Sequence, residues 1–388
     1  MGTRGEDAQA LTGEPPQATA RRTWPLVVRR ARPEDRNAIL SFASDTWHGW
    51  DYIPNAWPVW IDATDGVFLV GEIGRPPPGV EEPVDAEGNP LEVGLPVAIT
   101  RVAMVSDSEA WLEGIRVDPH VRGMGVAADL QIAELQWVAA QEARIVRYAT
   151  GSTNEASHRL GARDDITLVA RLRSLWFSED PDADADPASA FDPDVRQAAT
   201  SRRQELLAKL ANEGWIADAA IGRKLWSLVS ADPGFNAARR LYEPRAWALN
   251  ELTENVFGRH VERGEVVTAP GTSGPADWAV AVIPSVQLPA EDSALRAALL
   301  AGTPDRVIEL SENVRRVSGE PVRFRVAADS PLFAEHLDRL AESGYRAAKY
   351  AMHVLARPMD AGHPVPEPDP SRIVFGDPPV ADLTPPTW

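Results

Sequence analysis

Residues 109–130, EAWLEGIRVDPHVRGMGVAADL, constrain this chain more than any other stretch: an exposed strand runs into a turn bearing Arg122, Gly123 and Gly125, and a helix starts at once. Val126, Leu130, Ala133, Trp137 and Ala140 recur at spacings of three and four, which gives that helix one apolar stripe. A glycine turn at the positive end of a helix presents backbone N–H groups unblocked by side chains, and a diphosphate fits such a cradle. Arg122 adds a charge-assisted contact to the same anion. The same residues also suit a tight turn with close helix packing, so the stretch by itself leaves both readings open. The G-x-G-x-x-G of dinucleotide sites is incomplete and no Gly-Lys-Ser/Thr follows, which disfavours Rossmann and P-loop sites.

The pattern before and after it alternates. A strand is predicted at 24–30, a helix from Pro33-Glu34-Asp35 to about Thr46, a meander of strands at 67–73, 95–105 and 109–117, and then the glycine turn and helix. A strand at 144–149, a short helix from Asn154 and a strand at 166–172 complete an α+β block. Residues 178–194, SEDPDADADPASAFDPD, carry acids and prolines without a base, and read as a domain boundary or as a solvated surface loop. The second block predicts helices at 196–212, 219–229, 236–257, 294–301 and 305–317, and strands at 278–283 and 322–328. A helix at 332–343 stopped by Gly344 and a strand at 350–356 follow. Its ending of strand, helix, glycine and strand repeats the layout at 144–172 and suggests a diverged structural repeat. Residues 1–22 and the proline-rich 358–388 read as tails. The expected division is 23–177, an acidic linker, and 195–357.

Charge narrows the partners. With 39 Lys+Arg against 57 Asp+Glu the net charge is -18, which disfavours a general electrostatic grip on nucleic acid or an anionic membrane but leaves room for a local basic pocket. There is no cysteine, so thiolate nucleophiles and thiolate metal sites are excluded, and the seven histidines show no close pair at ligand spacing, so no metal is expected. The N-terminal residues hold acids where a secretory signal needs an apolar run, and a cytoplasmic protein is the expectation.

The arrangement at 24–177 resembles the Gcn5-related N-acetyltransferase superfamily. Arg122-Gly123-Met124-Gly125-Val126-Ala127 is similar to its Arg/Gln-x-x-Gly-x-Gly/Ala acyl-CoA signature, preceded by Val117-x-Pro119, and Asn154-Glu155-Ala156-Ser157 to its Asn-x-x-Ala/Ser segment. Asp51-Tyr52-Ile53-Pro54 with Leu112 to Val117 looks most like the histidine N-acetyltransferase-like branch. The resemblance implies a mixed sheet flanked by helices, a degenerate second domain of the same kind, and acetyl-CoA as cosubstrate. It also implies that backbone at Ile115, Arg116 and Val117, the 122–127 loop, Asn154 and Ser157 hold the acyl donor.

Attack by an amine needs a proton acceptor, and Glu113 is the candidate base, on a strand face expected to carry Trp111, Glu113, Ile115 and Val117. The plainer reading pairs Glu113 with a surface arginine. Where the family often has a proton-donating Tyr, seven residues after the Asn, this chain has Gly161, so no general acid is assigned. Trp47, Trp50, Asp51, Tyr52, Trp57 and Trp60 form either an acceptor wall for a cationic or aromatic amine or an aromatic cap on the core, with Asp51 and Tyr52 the substrate candidates. The expected activity is transfer of acetyl to a small amine or amino acid, histidine-like in the branch reading. The alternatives are a noncatalytic acyl-CoA sensor or scaffold and a protein N-acetyltransferase. A homodimer is left open.

Overall fold

The computed structural model describes residues 22–46, 51–178, 193–269, 274–285, 295–319, 322–376, 378–380 and 383. In the first half the strands are β1 (Leu26–Arg30), β2 (Gly66–Ile73), β3 (Pro96–Ser106), β4 (Glu109–Val117), β5 (Ile145–Gly151) and β6 (Thr167–Phe177). The helices are α1 (Arg36–Leu40), α2 (Ile53–Trp60), α3 (Val126–Ala140) and α4 (Glu155–Arg163). The second half carries helices α5 (Pro193–Asn212), α6 (Ala219–Ala231), α7 (Pro233–Ala237), α8 (Glu254–Glu262), α9 (Pro304–Ser318) and α10 (Phe333–Glu342). Its strands are β7 (Leu241–Arg245), β8 (Ala248–Glu251), β9 (Val266–Thr268), β10 (Ala279–Val282), β11 (Leu299–Gly302), β12 (Phe324–Ala327), β13 (Tyr345–Ala347), β14 (Met352–Pro358) and β15 (Ile373–Phe375).

The predicted meander is present, since β1 to β4 pair antiparallel in chain order. Period-two alternation sorts its side chains between two layers: Val67 and Leu69 join Leu130 and Trp137 under α3, whereas Phe68 and Val70 join Ile53, Trp57 and Trp60 under α2. Each face is thus closed by a helix, and the sheet between them is mixed, with β4·β5 and β1·β15 parallel.

The two halves share that sheet. Its order is β12-β6-β14-β5-β4-β3-β2-β1-β15, with β13 also against β6. β14, from the end of the second half, lies between β5 and β6 of the first, and β6 in turn supplies the antiparallel neighbour of β12. Each half therefore lends a strand to the other, and β5 and β6 have β14 as a common antiparallel neighbour only when both halves are present. β14 belongs to the expected second domain, 195–357, yet it is built between two strands of the first, so this sheet runs across the division expected at the acidic segment. The acidic segment falls outside the described residues except at its ends.

The C-terminal residues are not a tail. β15 pairs with β1 through Leu26↔Ile373, Val27↔Val374 and Val28↔Phe375. Ile373, Val380 and Leu383 are buried in the α3 core, and the Trp137 Nε1–H donates to the Leu383 carbonyl at 2.7 Å. Prolines dominate the composition there, yet a few apolar residues suffice to lay the segment across α3 and β1. Two predicted helices are also corrected: 236–257 is α7, the β7–β8 hairpin and the start of α8, and 294–301 runs into β11. The first predicted helix, 33–46, is shorter, a single 3-10 turn followed by α1.

Candidate functional site

β4 pairs with β5 only at Glu109↔Ile145, Ala110↔Val146 and Trp111↔Arg147, after which the two strands part. Against β3, the register passes from Arg101↔Glu113 to Ile99↔Arg116, so two residues of β4 stand opposite one of β3. This is a bulge, and Gly114 takes φ +76 in it. A Cβ there would sit 2.5 Å from the Trp60 ring, so only glycine lets strand and ring approach. The bulge corrects the expected common face. Trp111 packs with Ala170, Leu172 and Leu241, while Ile115 and Val117 pack on the opposite layer, against the α3 core. Glu113 itself, before the bulge, has charged neighbours, Arg101 and Arg245.

After β4, Asp118 caps a short turn, its Oδ1 accepting from the His120 N–H at 2.9 Å. Arg122 follows, exposed and extended, its Nε–H donating to the Val117 carbonyl at 3.1 Å. Gly123 has φ +76 with open space on its Cβ side, and Gly125 has φ +83 at the start of α3. Met124 and Val126 are buried and anchor the loop from below, so these two residues offer a ligand their backbone. Gly125 at the N-cap supplies no side-chain cap, so the first N–H groups of α3 are left without a cap from that residue. Over Gly125 lies a residue the sequence reading missed: a Cβ there would collide with the Nη2 of Arg372, which also contacts Asp129 at 3.3 Å.

Asn154 and Ser157 meet at the start of α4, where the Asn154 Oδ1 accepts from the Ser157 N–H at 3.2 Å and its Nδ2 donates to the Thr150 Oγ1 at 2.9 Å. Gly161 on the same helix has a physical explanation. The Tyr148 hydroxyl, donating to the Ser157 carbonyl at 2.8 Å, occupies the place a side chain at 161 would need. Burial pushes that phenol up to about 12.

The residues expected on the acceptor side fall into two ion-pair groups. The Asp51 carboxylate, fully buried, accepts from the Arg116 Nε at 2.7 Å and Nη2 at 3.0 Å, and its Oδ1 also accepts from the Ile53 N–H at 3.0 Å. Arg116 lies 5.1 Å over the Tyr52 ring. Its side chain is therefore engaged by Asp51, and the contact expected of Arg116 with the acyl donor is one of backbone, which this pairing leaves untouched. Burial pushes the Tyr52 hydroxyl up, which keeps it protonated. Trp57 and Trp60 are buried and meet Phe68 edge-on at 5.1 and 5.4 Å, as a core cap; Trp47 and Trp50 lie outside the described residues.

Glu113 is in the second group. Its Oε1 accepts from Nη1 of Arg101, whose Nη2 donates to Asp65, and its two oxygens accept from the Arg245 Nη2 at 3.2 and 3.1 Å. Arg245 belongs to β7, so the second half reaches the candidate base directly. Trp247, at the hairpin tip with φ +61, is half exposed beside it. Neither residue stood out in the sequence, since both fell in a stretch predicted as helix. Beneath the bulge the carboxyl of Glu134 on α3 is buried against Thr100, and burial pushes it up to about 8. His158 and His353, far apart in sequence, lie 3.2 Å apart, but no group of three His, Asp or Glu among the described residues is placed to hold a metal. No helix among them is long and apolar enough to cross a membrane.

No family model matches the chain. Over 206 residues it is 23% identical to a histidine N-acetyltransferase of Scomber australasicus, covering 49% of this chain and 56% of that protein. Over 101 residues it is 28% identical to a histidine N-acetyltransferase of Oreochromis niloticus, covering 26% of this chain and 24% of that one. The chain thus spans about half the length, or less, of these curated relatives. Among solved structures it is similar to a GCN5-related N-acetyltransferase of Sphaerobacter thermophilus, at 14% identity and a TM-score of 0.45, over 89% of this chain and 98% of that one. The two histidine N-acetyltransferase matches, taken with the parted strands and the glycine loop, support the Gcn5-related N-acetyltransferase superfamily for this chain, with a link to its histidine N-acetyltransferase-like branch.

Proposed function

We propose that the protein is an acetyl-CoA-dependent N-acetyltransferase acting on the amine of a small molecule or amino acid, by direct attack within a ternary complex. One juxtaposition carries the reading: β4 leaves β5 after Trp111, and its open edge leads straight into the glycine loop at the start of α3. The residues suit the cosubstrate, because two glycines at positive φ, first-turn N–H groups and the exposed Arg122 form an anion cradle. Bound there, acetyl-CoA supplies an activated thioester. Backbone at Ile115, Arg116 and Val117 aligns the acyl arm along β4, and a backbone N–H of that edge meets the charge that develops on the carbonyl oxygen. Asn154 and Ser157, at the start of α4, border the same opening.

Glu113 takes the amine's proton, directly or through a water. Three arginine contacts fill most of the four acceptor positions of its carboxylate, leaving one for that donor. Arg101 and Arg245 fix the carboxylate at the mouth of the strand gap, while Asp51, through Arg116, fixes the Tyr52 ring as a wall of the acceptor side. With Tyr148 over Gly161, the leaving thiolate takes its proton from water. The engagement of Glu113 by two guanidinium groups also favours a second reading, an acyl-CoA sensor that binds without turnover. Calorimetric titration with acetyl-CoA tests the cofactor reading. Wild type is expected to bind and Gly125→Asp, which adds bulk and like charge at the cradle, to lose binding; unchanged affinity in a folded Gly125→Asp protein would remove it.

A further inference from the structure

The C-terminal segment does more at the glycine loop than cover apolar surface. Asp369 to Arg372 form a tight turn, in which the Asp369 carbonyl accepts from the N–H groups of Arg372 and Ile373, both at 2.9 Å, and the Asp369 Oδ1 accepts from the Ser371 N–H at 2.9 Å. The Arg372 carbonyl accepts from the Leu26 N–H at 2.7 Å as β15 joins β1. The backbone of Arg372 is therefore pinned at both ends. Its side chain is held loosely, 40% exposed, with two contacts to Asp129 at 3.3 Å, and it projects over Gly125 where α3 begins.

Asp129 does not need it. That carboxylate, 2% exposed in the first turn of α3, is already met at 2.7 Å by Arg22, whose side chain is 3% exposed. The Nη2 of Arg22 also donates to the Arg372 carbonyl, and its Nη1 is buried without a partner. Two guanidinium groups, from Arg22 and Arg372, thus meet one carboxylate at a helix N-terminus, next to the loop that carries Arg122. Such an excess of positive charge in a chain of net charge -18 is out of keeping with its surroundings unless an anion completes it.

We propose that Arg372 is a ligand for the diphosphate of the acyl donor, so that the anion site at the glycine loop is closed by the chain's own C-terminal segment. This rests on the cofactor reading above and adds to it a residue some 250 positions beyond the loop, about the separation of Arg372 from Arg122. When the anion arrives, the Arg372 guanidinium exchanges its long contacts to Asp129 for phosphate oxygens, and Arg22 keeps Asp129 neutralised. Binding at the loop and anchoring of the C-terminal segment then reinforce one another.

The test is calorimetry on the full chain with acetyl-CoA and with S-acetylpantetheine, which lacks the diphosphate. Arg372→Ala is expected to weaken acetyl-CoA by about 10- to 100-fold, the worth of one charge-assisted contact, with S-acetylpantetheine unchanged and Arg372→Lys between the two. Inorganic pyrophosphate alone should raise the melting temperature of wild type and raise that of Arg372→Ala less. Equal loss for both acetyl compounds would make Arg372 a structural brace, and tighter acetyl-CoA binding in Arg372→Ala would make it a plug; either overturns the proposal. If wild type binds neither compound nor pyrophosphate, it is the cofactor reading itself that falls.

Discussion

Replacing Glu134 by Gln isolates the largest electrostatic cost in the site's foundations. The Glu134 side chain lies in α3 at 2% exposure and accepts from the fully buried Thr100, whose hydroxyl also stands 3.5 Å from the Glu113 carbonyl. Burial raises its carboxyl from 4.5 to about 8, with Asp164 adding to the rise and Thr100 opposing it. Below about 4.5 the folded and unfolded chains both hold the proton, and the stabilising contribution is whole. As the pH climbs, the unfolded chain sheds its proton first, so stability falls by about 1.4 kcal/mol per pH unit until the folded carboxyl ionises near 8. The whole loss is on the order of 5 kcal/mol, a large share of a domain's stability. Glutamine keeps the shape and an acceptor for the Thr100 hydroxyl, and it cannot ionise. Urea unfolding of both proteins from pH 4.5 to 9 should therefore show wild type losing ground steadily to Glu134→Gln up to pH 8 and no further above it. A difference that stays flat across this range would refute the burial argument.

Three further outcomes follow from the packing. Gly161→Ala forces a methyl into the Tyr148 hydroxyl and should cost about 1–3 kcal/mol in denaturant unfolding, with Tyr148→Phe in the same chain recovering part of it. Deleting residues 360–388 uncovers the α3 core where Ile373, Val380 and Leu383 sit, and should cost on the order of 5 kcal/mol and bring dye binding to exposed apolar surface. Arg245→Ala should leave acetyl-CoA affinity intact and lower amine turnover by about tenfold or more, because Glu113 loses the contact that fixes its orientation; unchanged steady-state rates would set that role aside.

The parts legible in the sequence are those written in neighbouring residues. The β1 to β4 meander, α3 and the glycine loop follow from alternation, a 3.6-residue stripe and two glycines, all local signals. The bulge at Gly114 was not legible, since a single glycine in an apolar strand gives no sign of which partner residue it will face, and it flips every side chain after it. The β7–β8 hairpin was read as helix because Arg239, Arg240 and Trp247 hold positive φ without being glycine, and only tertiary contacts keep them there. The place of β14 between β5 and β6 and the seating of Arg372 over Gly125 join residues some two hundred positions apart, which no window along the chain can report. Truncation at Ser178, which the sequence alone makes reasonable, would strip β5 and β6 of their shared neighbour β14.

The central claim is that acetyl moves from the thioester held at the glycine loop to an amine presented beside Glu113. Thiol release from acetyl-CoA, followed with a panel of amines and amino acids that includes histidine, tests it most directly. Release of CoA should depend on the amine and match, mole for mole, the acetylated product found by mass spectrometry. Saturable acetyl-CoA binding with no amine-dependent release from any member of the panel would contradict it and leave a sensor in its place.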